Sequence, residues 1–97
     1  AQVVATGSVN SPQFLELGGE ATNGVVTTTV FFPGAARPEA EPFIAAYREA
    51  AGRDPDSFGA LAYDGVKILA WAAQQNGAER EAIRQALVEG SEIPSII

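Results

Sequence analysis

Hydrophobic and polar positions alternate in two clear modes along this chain, and the switch between them lays out its elements. Gln2 to Ala5 is a short apolar run that predicts a buried strand. Gly24 to Phe32, GVVTTTVFF, is β-branched and aromatic and gives the strongest strand signal. Between them, Ser11-Pro12 reads as N-cap and first residue of a short helix, SPQFLEL, which Gly18-Gly19 ends. Its apolar residues are Phe14, Leu15 and Leu17. Pro33 to Pro38 is a loop. A helix follows over about Glu39 to Ala51, with Phe43, Ile44, Tyr47, Ala50 and Ala51 inward, Pro42 in its first turn and Gly52 as its cap.

The longest periodic run is Asp54 to Asn76, DPDSFGALAYDGVKILAWAAQQN. Asp56 or Ser57 can cap its start, and Asn76-Gly77 supplies the stop. Phe58, Leu61, Ala62, Gly65, Val66, Leu69, Ala72 and Ala73 fall at helical spacing and predict one inward stripe. Asp64 reads as a solvated or capping group and Trp71 as packing. A last helix spans Glu79 to Glu89 with Ile83, Ala86 and Leu87 inward, and Glu92 to Ile97 is short and apolar. Strands separated by helices predict a parallel sheet and an α/β fold. Two strands give four helical segments too little sheet to pack on. The 97 residues therefore read as one incomplete domain, part of a larger α/β lobe or a chain that dimerises to complete its core.

Composition narrows the chemistry. The formal net charge is −6, and six basic residues are scattered without a cluster, which argues against nucleic acid. Histidine and cysteine are both absent. That removes the commonest general base, thiolate catalysis, disulfides and the usual metal ligands. No carboxylate pair has a spacing that suggests acid/base work, and no glycine-rich loop matches a phosphate cradle. The reading is of a non-enzyme with no cofactor and no metal.

The pieces SPQFLELGGEA–GVV, AYREAAGRDPDSF and ALAYDGVKILAWA, in this order, resemble the second lobe of type I periplasmic solute-binding proteins. They are most similar to the branched-chain amino-acid binding proteins of ABC importers. The resemblance covers nearly the whole chain and implies a partial second lobe over 1–97, within a parallel-sheet three-layer architecture. It implies a periplasmic or extracellular receptor that closes two lobes on an amino acid or a related aromatic or keto acid. The partners it implies are that small molecule and the importer's membrane subunits.

Ligands of open parallel sheets bind outside the carboxyl ends of the strands. Here those ends are Thr6, Gly7 and Ser8 after the first strand and Val30 to Pro33 after the second. The family places there an acidic residue that receives the ligand's ammonium, and Gly7 stands at its position. An aromatic at the long helix's start lines the ligand's apolar side in the family, and Phe58 matches it. Phe31 and Phe32 alternate, so one faces the core and the other a cleft or solvent. The candidate ligand-binding set is Thr6, Gly7, Ser8, Phe32 and Phe58. Against it stand turn chemistry for Thr6 to Ser8 and core packing for Phe58. Two other functions stay open: a ligand-sensing module on the same fold, and a self-associating fragment that binds nothing, for instance a homodimer.

Overall fold

A computed structural model describes residues 1–97. Two strands, β1 (Val4–Ala5) and β2 (Val26–Thr27), pair in parallel with Val4 opposite Val26 and Ala5 opposite Thr27. Four helices follow the expected order: α1 (Pro12–Gly18), α2 (Glu41–Ala51), α3 (Ser57–Asn76) and α4 (Arg80–Glu89). The α/β class and the parallel pairing are as the sequence predicts.

The helix ends follow local chemistry. Ser11 Oγ accepts from the Phe14 amide at 3.3 Å, with Pro12 in the first turn of α1. Asp56 Oδ1 accepts from the Gly59 amide at 2.9 Å and starts α3. Gly52, in the left-handed region at φ 68°, ends α2 as its sequence position predicts. A 3-10 turn, Pro38–Ala40, leads into α2, and Pro42 lies within that helix's first turn.

The strands are shorter than their sequences suggest. The segment expected as Gly24 to Phe32 leaves the ladder after Thr28, whose amide donates to Ala5 O at 3.3 Å. Thr29 then turns the chain: its Oγ1 accepts from the Phe31 amide at 3.2 Å and lies 2.7 Å from Phe31 O. A threonine hydroxyl offering the backbone a local partner competes with the ladder in this way. β1 was expected to be buried, yet Val3 and Val4 are exposed, because no layer covers this sheet.

The core lies where β2's exit meets α2, α3 and the C-terminal segment. It comprises Phe31, Ala40, Phe43, Ile44, Ala60 and Ile96. Phe43 is its hub, edge-on to Phe31 with ring centroids 6.0 Å apart and tilted over Tyr63 at 4.6 Å. Gly59 lets α2 approach α3, since a Cβ there would sit 3.2 Å from the Tyr47 ring. At the far end of α3, Trp71 packs against Gly90, where a Cβ would meet its ring at 2.5 Å. Ile83, Ala86 and Leu87 of α4 are inward as expected, whereas Ala50 and Ala51 of α2 are exposed.

Two expectations about α3 are corrected. Its covered face carries Ser57, Ala60, Asp64 and Ala72, with Ile68 and Trp71 half-buried. Of the expected stripe, Ala72 and Ala73 are inward, but Phe58, Leu61, Val66 and Leu69 are exposed, about a third of a turn around the helix. α3 is apolar on both faces, so periodicity alone cannot choose between them. Asp64 is not solvated; it is 6% exposed. Its Oδ1 accepts from the Ile96 amide at 2.9 Å and its Oδ2 from Ser95 Oγ at 2.6 Å. The short apolar C-terminal segment is thus pinned to α3, and Arg37 donates to Ile97 O at 3.1 Å.

Asp64→Ala strands the Ile96 amide and leaves the Ser95 hydroxyl only its bonds to Ile97. It is expected to lower stability by about 2 kcal/mol, seen as a reduced urea midpoint at matched protein concentration. An unchanged midpoint would show that Asp64 does not hold the segment.

Only 11 of 97 residues are buried, and the Cα radius of gyration is 16.8 Å. A compact chain of this length has about 13 Å. Uncovered apolar faces and open strand edges favour association. Produced alone, the 97 residues are expected to sediment as dimers or larger species at micromolar concentration. A monomer that unfolds cooperatively would contradict this.

Candidate functional site

Four of the five candidate residues lie around one rim at the carboxyl ends of the strands. After β1 the chain makes a 3-10 turn, Gly7–Val9. Thr6 Oγ1 and Ser8 Oγ are 2.7 Å apart and both residues are exposed. Gly7 between them lies against the exit of β2: a Cβ there would be 3.2 Å from Thr28 O and 3.8 Å from Thr29 Cα. Thr29 in turn reaches α3, its Oγ1 lying 2.7 Å from Ser57 Oγ. The next residue is Phe58, 57% exposed and so not a core residue of this chain.

The rim is neutral. Thr6, Gly7, Ser8, Thr28, Thr29, Ser57 and Phe58 carry no ionisable side chain. Asp56, beside Ser57, has Oδ1 engaged in capping α3. The rim offers hydroxyls, which donate or accept, beside an uncovered aromatic ring. It suits a neutral or anionic oxygen and an apolar body; a buried ammonium would lack a charged partner among these groups.

Phe32 lies beside this rim, in a cleft it shares with Val9 of the Gly7–Val9 turn and with Ser57. Phe31 enters the core and Phe32 is left out, as their alternation predicts. Phe32 borders an adjoining cleft of about 520 Å³, lined also by Asn10, Ser11, Phe14, Gly34, Arg48, Asp54 and Asp56. Ser57 belongs to both places, lining the cleft while bonded to Thr29. At the cleft's edge Arg48 donates to Asp54. That bond holds the Asp54 carboxyl below the usual carboxylate range and raises the Arg48 guanidinium above its ordinary value. A depressed carboxyl keeps its contribution above the ordinary carboxylate range, near about pH 4, and loses it as pH falls through the lowered value. The pair is charged and mutually satisfied at neutral pH.

Sequence reasoning missed Thr29, Ser57 and the Arg48–Asp54 pair. The first two had a faint signal, a threonine run leaving a strand and a serine just inside a capped helix. Their meeting, 28 residues apart, has none.

The fold has known counterparts. A family model described as periplasmic binding protein matches residues 1–97. This chain belongs to the periplasmic binding protein family. The crystal structure of a leucine binding protein, LivK, from Thermotoga maritima superposes with a TM-score of 0.80 at 33% sequence identity. The match covers 88% of this chain and 25% of that one, so the chain spans about a quarter of the length of the structure it matches. Comparison with curated proteins gives no match. The type I, branched-chain-type resemblance and the α/β lobe read from the sequence are therefore borne out.

Proposed function

We propose that this chain is the ligand-facing part of the second lobe of an extracytoplasmic solute receptor. The receptor closes two lobes on a small amino acid or related carboxylic acid and carries out no catalysis. It hands its ligand to the membrane subunits of an ABC importer. The observation that carries the reading is the exposed rim at the strands' carboxyl ends, where Thr6, Gly7 and Ser8 meet, through Thr29 and Ser57, the helix start that bears Phe58. Ligands of parallel sheets bind at such ends.

The ligand's chemistry follows from the groups on the rim. Phe58 is exposed and offers a flat apolar surface to a branched or aromatic body. The Thr6 and Ser8 hydroxyls and the loop amides suit oxygen rather than ammonium. An ammonium enclosed against this lobe would need an anionic partner from elsewhere. A carboxylate at position 7 is also poorly accommodated, because its Cβ would press on the Thr28 carbonyl. The LivK structure that the chain matches is of a leucine binding protein. The ligand proposed here has an apolar body of that kind and lacks an α-amino group: an aromatic or branched keto acid.

Calorimetric titration of the full-length receptor separates the cases. Keto analogues of leucine and valine are expected to bind more tightly than the amino acids; clear preference for the amino acids would overturn the ligand assignment. Phe58→Ala is expected to weaken the preferred ligand on the order of tenfold. Unchanged affinity in a folded variant would remove Phe58 from the site.

A further inference from the structure

Thr29 and Ser57 form a side-chain link between the exit of β2 and the start of α3. Their hydroxyl oxygens are 2.7 Å apart, and either can donate. Both also reach Phe31 O, Thr29 at 2.7 Å and Ser57 at 3.3 Å. Three possible bonds therefore share two hydroxyl protons, while the Phe31 amide donates to Thr29 Oγ1 at 3.2 Å. The two groups differ in setting: Ser57 is 6% exposed and Thr29 lies at the surface.

The position of this link matters more than its strength. Gly7 rests on Thr28 and Thr29, so the β1 loop is indexed to the same stretch that holds Ser57. Phe58 follows Ser57 in the first turn of α3, a helix held further along by Asp64 and Ala60, and Ser57 ties that first turn to the strand side. The Asp56 cap fixes where α3 starts and does not fix its rotation against β2; the cap bond runs within the helix, from Asp56 to Gly59. Ser57 is the first residue that joins the helix to the strand side.

We infer that the Thr29–Ser57 hydroxyl pair is a positioning device for ligand selectivity, holding Phe58 in register with the Thr6–Ser8 loop. The inference rests on the receptor reading of this rim. Ser57→Ala removes the link and leaves Thr29 its own bonds to Phe31, so the turn after β2 keeps its partners. With the link gone, Phe58 no longer sits at one height against the ligand's apolar body, and discrimination by body size falls.

The test uses the full-length receptor titrated with leucine, valine and the keto analogue of each. Ser57→Ala is expected to weaken the larger probe of each pair about tenfold and the smaller one less, shrinking the size preference. Thr29→Ser, which keeps the hydroxyl, is expected to retain the wild-type preference. Thr29→Val breaks the hydroxyl pair from an exposed position, leaving Ser57 its bond to Phe31 O and freeing the Phe31 amide, and gives a second reading where Ser57→Ala does not fold. Equal loss for large and small probes, wild-type binding in a folded link-breaking variant, or failure of both link-breaking variants to fold would overturn the inference and make the pair structural. Wild-type receptor that binds none of the four probes fails the receptor reading itself, and this inference with it. Binding by the wild type with unaltered size preference in the variants fails the inference alone.

Discussion

Asp64 lies near the middle of α3 with its carboxylate turned into the protein, where it holds the Ile96 amide and the Ser95 hydroxyl. A buried carboxylate is tolerated because every buried polar side-chain atom of the chain has a partner. The consequence runs along the helix. With Ile96 held, its side chain closes the cluster of Phe31, Phe43 and Ile44 over the first turns of α3. With those turns covered, Ser57 meets Thr29 and Phe58 is left at the strand ends. Toward the other end, Trp71 settles on Gly90 and brings α4 alongside. One helix thus carries the attachments of the C-terminal segment, of β2 and of α4.

The same helix explains the openness of the chain. One face is covered by these attachments; the neighbouring face, with Leu61, Val66 and Leu69, is not. The two-residue strands likewise lack a layer on their faces. In a family of whose matched member this chain spans about a quarter, these are surfaces for which further structure is proposed. The rim at the strand ends has a different character, with hydroxyls around a single ring. A uniform apolar patch suits packing; a few polar groups beside one aromatic suit a small ligand.

Much of this was legible in the sequence because it is local. Ser11, Asp56 and Gly52 mark helix ends through bonds or dihedral angles within a few residues, and the Phe31–Phe32 alternation separates core from exterior. The order of strands and helices, with the family resemblance, pointed to Thr6 to Ser8 and Phe58 as candidates. What escaped was set by distance in the chain or by degenerate pattern. Asp64 meets Ile96 across 32 residues, and nothing in an apolar C-terminal segment announces it. The covered face of α3 was misread because alanine, glycine and leucine make both faces apolar. Phe32, which the alternation leaves outside the core, lines the cleft beside the rim.

The central claim is that ligand is held at the strand ends, between the Thr6–Ser8 loop and the start of α3. Hydrogen–deuterium exchange on the full-length receptor, with and without the keto analogue of leucine, measures this directly. Protection is predicted in Thr6–Val9 and in the first turn of α3 from Ser57, with Arg80–Glu89 unchanged. Protection confined to the cleft around Phe14 and Phe32, or no change at either rim segment on saturation, would contradict it.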